Sequence, residues 1–184
     1  MTKKALLVID LQNDYFPGGK WTLDGIEAAA ANAVRLVSTE RDAGNLVVHV
    51  RHEFPTSDAP FFTPGSEGAK IHKDIQPIDG EDIVLKNQVN SFRDTELKDI
   101  LDRNGIEEVV ICGAMSHMCV DAATRAANDL GYRCTVIHDA CASRDLEFDG
   151  VRVPAQHAHA AYMAALGFAY ANTVSTEEYL SSAT

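Results

Sequence analysis

No apolar run in this chain approaches the roughly 20 residues that a membrane-spanning helix needs. Nor does any basic cluster offset its acidic balance. Lys plus Arg total 16 against 27 Asp plus Glu, a formal net charge of −11. Such a surface repels nucleic acid and anionic membranes, so neither is expected as a partner. Cysteine is scarce: Cys112, Cys119, Cys134 and Cys141 are all there is, and their spacings match no zinc pattern. Pro- or Ser-rich linkers and internal repeats are also missing, so the 184 residues are expected to form one domain, 1–184, with a sizeable core. Met1-Thr-Lys-Lys leads directly into Ala5–Ile9, which is too short for a signal-peptide core and is followed by no small-residue cleavage site. The expectation is a soluble cytoplasmic protein with free thiols rather than disulfides.

What is present is an alternation of two patterns. Ala5–Ile9, Leu46–Val50, Asp82–Leu85, Val109–Cys112 and Arg133–Ile137 are short apolar runs that read as buried parallel strands. Between them lie helical stripes. Ile26, Ala30, Ala33 and Val37 predict a helix from Asp24 to Ala43, stopped by Gly44. Leu97, Ile100 and Leu101 mark another, ended by Asn104-Gly105. Val120, Ala123, Ala127 and Leu130 form a third face before Gly131, and Gly113 is read as the break after the strand that precedes it. Pro154 suits the first turn of a helix with Ala158, Ala161, Ala165 and Leu166 on one face. Phe168–Val174 is read as a sixth strand and Thr176–Leu180 as a closing turn or helix. The fold class is therefore α/β: a three-layer α/β/α arrangement around a mainly parallel, Rossmann-like six-stranded sheet. One irregular stretch, Phe54–Gly80, is either a lid or pocket wall or a mobile insertion.

Sites in such sheets lie at the carboxyl ends of the strands. Strand one ends at Asp10, strand three at Lys86, and strand four leads through Gly113 to Cys119. A carboxylate, an ammonium and a thiol thus converge on one edge. Cys119 falls at a strand-to-helix turn, where unpaired N–H groups and the helix dipole favour a thiolate. The competing reading is a small buried apolar cysteine, the commonest fate of a free thiol. Asp10 is suited to take the thiol proton and Lys86 to stabilise both charges, with backbone N–H groups of the turn as an oxyanion hole. Taken alone, Asp10 reads more often as a loop cap and Lys86 more often as its structural ion-pair partner; the convergence of all three favours chemistry.

Three segments carry a resemblance to a known family: Leu7-Val-Ile-Asp10-Leu-Gln-Asn-Asp14, Lys86 followed by Ser91-Phe92, Thr95 and Leu97, and Gly113-Ala-Met-Ser-His-Met-Cys119-Val. Together with His138-Asp139-Ala140 and the helix around His159, they make nearly the whole chain resemble the isochorismatase-like cysteine hydrolases, which include nicotinamidases and N-carbamoylsarcosine amidase-like enzymes. The resemblance implies a triad of Asp10, Lys86 and Cys119. It also implies a cis peptide between Ala114 and Met115, with the N–H groups of Met115 and Cys119 forming the oxyanion hole. Two departures stand out. Metal-binding members carry Asp-x-His after strand two, where this chain has His52-Glu53-Phe54, leaving His49, His52 and His72 as scattered candidates. A lone strand-end histidine is more often a hydrogen-bonding residue than a ligand. Glu53 also stands where nicotinamidases place an aromatic against the pyridine ring, so nicotinamide is not expected as substrate. Isochorismatase itself lacks the nucleophilic cysteine, which counts against vinyl-ether hydrolysis.

Tyr15, Phe16 and Trp21 follow Asp10 and read as pocket walls or core; His117, two residues before Cys119, reads as a substrate contact or a solvent-facing cap. Cys112, Cys134 and Cys141 read as core. The alanine-rich Ala155–Ala165 suits an oligomer face, and Phe61-Phe62 is placed to reach across one. Family members are commonly dimers to octamers, so a homo-oligomer, dimer or tetramer, is expected. The leading reading is a metal- and cofactor-independent cysteine amidohydrolase acting on a small carboxamide or ureido-type molecule. Its rivals are an ester or isochorismate-like ether hydrolase, and a thiol-based redox sensor or binding module.

Overall fold

A computed structural model describes residues 3–182. Six strands form one sheet: β1 (Lys4–Ile9), β2 (Leu46–His52), β3 (Asp82–Lys86), β4 (Glu108–Ala114), β5 (Arg133–Ala142) and β8 (Asn172–Val174), in the order β3-β2-β1-β4-β5-β8. Every neighbouring pair is parallel. The helices are α1 (Ile26–Asp42), α2 (Leu97–Arg103), α3 (Asp121–Asp129), α4 (Ala155–Ala169) and α5 (Thr176–Ser182). Residues along each strand alternate between two cores. Leu6, Val8, Val110 and Cys112 pack with Ile26, Ala33 and Leu36 of α1 and Tyr179 of α5. Leu7, Ile9, Val109 and Ile111 pack with Leu97 and Leu101 of α2, Ala123 of α3 and Met163 of α4. Burial on both faces explains why the strands read as continuous apolar runs rather than as alternations. Among the described residues, no helix is long and apolar enough to cross a membrane.

The chain runs outward from β1 to β3, then returns to place β4 on the other side of β1. The crevice above the carboxyl ends of β1 and β4 is therefore the topological switch point, the place where such sheets hold ligands.

Several boundaries differ from expectation. β4 does not stop before Gly113 but continues through it to Ala114, because the glycine adopts φ +122° and stays paired with both Ile9 and Cys141. Phe168 is not in a strand. It belongs to the last turn of α4 and is 92% exposed, while β8 begins only at Asn172. On α4 the buried positions are Ala155, Ala158, Met163 and Leu166, so Ala161 and Ala165 face outward, as Leu130 does after α3. An antiparallel hairpin of β6 (Leu146–Phe148) and β7 (Val151–Val153) was not anticipated. Its turn is Asp149-Gly150, both at positive φ, the sequence signature of a tight two-residue hairpin. The Phe54–Gly80 stretch holds two short turns, at Glu67–Ala69 and Lys73–Ile75, and its Phe61 and Phe62 are buried in their own chain rather than offered to another subunit.

Candidate active site

Asp10 follows β1 directly, with φ 52°. This left-handed conformation costs an L-residue about 1–2 kcal/mol, less for aspartate than for most. It is held by the Asp10 N–H donating to the Val50 carbonyl at 2.9 Å and by the Asp10 carbonyl accepting from the Gln12 N–H at 2.9 Å. Lys86 closes β3, two strands away. Its side chain crosses the end of β2 and places Nζ 2.8 Å from Asp10 Oδ2 and 3.3 Å from Cys119 Sγ. Asp10 is 0% exposed, Lys86 1% and Cys119 6%. Among the described residues, neither Asp10 oxygen has a hydrogen-bond partner outside this cluster. A buried charge persists only when paired, and each charge here has its opposite in contact.

Burial alone would push Lys86 down. The negative charge of Asp10, together with Cys119 and the hydrogen bonds to both, outweighs it and holds the ammonium above its ordinary pKa. Burial, joined by the charge of Asp10, drives the Cys119 thiol well above its usual value despite the opposing pull of Lys86. The resting group is accordingly a neutral thiol beside a carboxylate. This differs from the sequence expectation that a helix start favours the thiolate: the cysteine sits in a π-type turn, Ser116–Val120, before α3, where the carboxylate and the loss of solvent dominate.

The turn is tied down at both ends. The Ala114–Met115 peptide is cis, and the Met115 carbonyl accepts from the N–H groups of Met118 and Val120. Ser116 Oγ donates to the Ala142 carbonyl at 3.1 Å and lies 2.8 Å from His159 Nδ1 of α4. At Gly113 an added Cβ would stand 1.9 Å from the Ile9 carbonyl oxygen, so only glycine lets β4 lie this close to β1.

The remaining predicted residues separate into two groups. Tyr15 packs on Phe62 with ring centroids 4.6 Å apart, and its phenol is raised far above the usual range by burial and by the charges of Cys119 and Asp10. His117 is buried, with Nδ1 2.8 Å from Ser143 Oγ; burial and the charge of Arg144 lower its pKa. Phe16 instead stacks on His72 at 3.7 Å and lines a groove of about 650 Å³ with Glu27, Ala30 and Lys73. Glu53 is committed to Arg51 at 2.6 Å.

Three contributors received no role from the sequence, although Gln12 and Asp14 lie within the segment Leu7–Asp14 that carries the resemblance. Asp14 pins the long loop, accepting from the Phe62 N–H at 2.7 Å and the Lys20 N–H at 3.1 Å. Gln12 clamps the end of β2, accepting from the His52 N–H at 2.7 Å and donating to its carbonyl at 2.8 Å. Arg144 lies 4.0 Å over the Trp21 ring. No spacing signal reveals what Gln12 or Arg144 does, because both act on segments distant in sequence.

A metal does not fit here. His49 pairs with Glu81 at 3.1 Å, His72 stacks on Phe16, and His52 Nδ1 faces the Lys86 ammonium at 3.0 Å, a position that would repel a cation. Among the described residues, no group of three or more His, Cys, Asp and Glu is arranged to hold an ion.

A doubly covered parallel sheet carries an acid, a lysine and a thiol buried together at its switch point, which makes this a three-layer α/β/α domain with its site at the strand ends. The chain belongs to the isochorismatase family, whose domain model matches residues 4–177. It is 47% identical over 176 residues to the uncharacterized isochorismatase family protein YddQ of Bacillus subtilis, covering 96% of this chain and 98% of that one. A crystal structure from Oleispira antarctica, described as an isochorismatase hydrolase, shares 57% identity with a TM-score of 0.95, covering 98% of this chain and 97% of that chain. The maleamate amidohydrolase of Pseudomonas putida is 30% identical over 156 residues, covering 77% and 73% of the two chains. The family thus contains amidohydrolases, and this chain is a hydrolase of the isochorismatase type.

Proposed function

We propose that the protein is a metal-independent cysteine amidohydrolase that cleaves the C–N bond of a small carboxamide or ureido compound. The observation that carries this reading is the placement of Lys86 Nζ between Asp10 Oδ2 at 2.8 Å and Cys119 Sγ at 3.3 Å, all three side chains out of solvent. Asp10 takes the thiol proton as the sulfur attacks the carbonyl carbon, so the nucleophile is generated only when substrate is present. The N–H groups of Met115 and Cys119 receive the developing oxyanion. Collapse expels ammonia or an amine, which takes the proton back from Asp10 and leaves a thioester. Water then attacks the thioester, giving its proton to Asp10, and release of the acid restores the thiol. Lys86 remains an ammonium throughout, holding the carboxylate in place and compensating the charge that passes from oxygen to sulfur.

The substrate is read as anionic. Arg144 forms no ion pair among the described residues and lies over the Trp21 ring, and its charge reaches Tyr15, beside Cys119 and Asp10, and His117. In a protein of net charge −11 an unpaired guanidinium at that position favours a carboxylate on the molecule bound. Maleamate amidohydrolase is named for such a substrate. The test is a panel of amides and ureido compounds, with and without a carboxylate, scored by ammonia release for the native protein and for Cys119→Ala. Release is expected only from the native protein and chiefly from the carboxylate-bearing members. Equal release by Cys119→Ala would sink the nucleophile; a preference for uncharged amides would sink the anionic reading.

A further inference from the structure

Lys86 has three N–H bonds, and a full account of them requires a third acceptor. β2 lies between β3 and β1, and the parallel register sets His52 directly beside Lys86. Strands are spaced about 4.8 Å apart, so a lysine reaching from β3 to an aspartate after β1 must cross some 10 Å and pass over the last residue of β2. That residue is His52, and its Nδ1 lies 3.0 Å from Lys86 Nζ. The residue is held from two directions. Gln12 grips its backbone on both sides, and Phe54 meets its ring edge-on with centroids 4.7 Å apart. Phe62 stands further off at 6.2 Å.

Resting on the reading of Asp10, Lys86 and Cys119 as a working triad, we propose that His52 is a positioning residue: a neutral imidazole whose Nδ1 accepts the third N–H of Lys86 and thereby aims the other two at Asp10 and Cys119. An ammonium rotates freely about its last bond, so two acceptors leave its third proton unspent in a dry site. A third acceptor completes the set and fixes the orientation. The acceptor must be uncharged, because a second carboxylate would draw Lys86 away from the thiol. It must also lack a proton on Nδ1, because two donors 3.0 Å apart repel. Burial, reinforced by the charge of Lys86, keeps the ring unprotonated, its pKa brought down to about 4. Asp10 acts in the opposite sense but does not reverse this. His52 never touches the substrate in this scheme; its effect reaches the sulfur only through Lys86.

Two measurements test this without requiring that the physiological substrate be known. The first is the pH–rate profile of Cys119 alkylation by iodoacetamide in the native chain, in His52→Leu, which keeps bulk without an acceptor, and in His52→Asn, whose amide oxygen stands near the place of Nδ1. The expected result is an alkaline shift of about one unit in His52→Leu, hence about tenfold slower labelling at a fixed pH below the thiol pKa, and recovery of most of that loss in His52→Asn. Unshifted profiles in both variants, or equal shifts in both, would overturn the assignment. The second is nitrogen NMR of the histidine rings in the native protein, which needs no variant to fold. The proposal requires His52 to be neutral at pH 7 with its proton on Nε2, and a protonated Nδ1 would refute it. Both readouts are independent of amide turnover. A chain that labels as described but releases no ammonia from any amide would remove the proposed function while leaving the role of His52 in place.

Discussion

Lys86 Nζ and Asp10 Oδ2 lie 2.8 Å apart with both side chains sealed from water. Such a pair is costly to break from one side, because the survivor is a buried charge without a counterion. Lys86→Met is expected to destabilise the fold by about 3–5 kcal/mol. The double change Asp10→Asn with Lys86→Met should cost clearly less than the sum of the two single changes. Urea denaturation of the four proteins measures the coupling, and strictly additive losses would show that the pair is not a unit.

The thiol of Cys119 is held protonated by burial and by Asp10. Iodoacetamide should therefore label it more slowly at pH 7 than a solvent-exposed cysteine, with the rate still climbing above pH 9. The linkage runs in the same direction. A thiol whose folded pKa is raised contributes stability that is complete below its unfolded value near 8.5 and is lost as the pH rises beyond it. Rapid, pH-independent labelling at neutrality would instead identify a preformed thiolate.

His52 gives the opposite dependence. Its folded pKa is depressed from 6.5 to about 4, so the unfolded chain binds a proton over that window while the folded chain does not. Stability is complete above pH 6.5 and falls as the pH drops toward 4. His49, His72, His117 and His159 are lowered as well and add to the slope in the same window. Chemical denaturation at pH 7 and pH 4.5 should show a smaller acid loss in His52→Asn than in the native protein. An unchanged loss would remove His52 from the account.

Gly113 tests the backbone. A methyl group there would meet the Ile9 carbonyl oxygen at 1.9 Å, at a φ of +122° that alanine avoids. Neither atom can yield, since both belong to paired central strands. Gly113→Ala should cost more than about 3 kcal/mol or abolish soluble expression, whereas Gly131→Ala, with open space around it, should cost only its left-handed conformation, about 1–2 kcal/mol. Comparable thermal midpoints for the two would contradict the close approach of β1 and β4.

The layers and the candidate site were legible in the sequence alone. Strands buried on both faces must be apolar throughout, so Ala5–Ile9 and Val109–Cys112 declared themselves, and the rule that parallel sheets hold their sites at strand ends selected Asp10, Lys86 and Cys119 without coordinates. Local turn chemistry was equally legible, though unused, in Asp149-Gly150. Tertiary structure decided what depends on lateral register and on the water left behind. That β2 lies beneath the Lys86 side chain, so that His52 faces an ammonium, follows from a sheet order that no periodicity records. The protonation of Cys119 followed the same logic. A helix start argues for a thiolate, but the balance of solvation and neighbouring charge that favours the thiol exists only once folding has buried Cys119 beside Asp10.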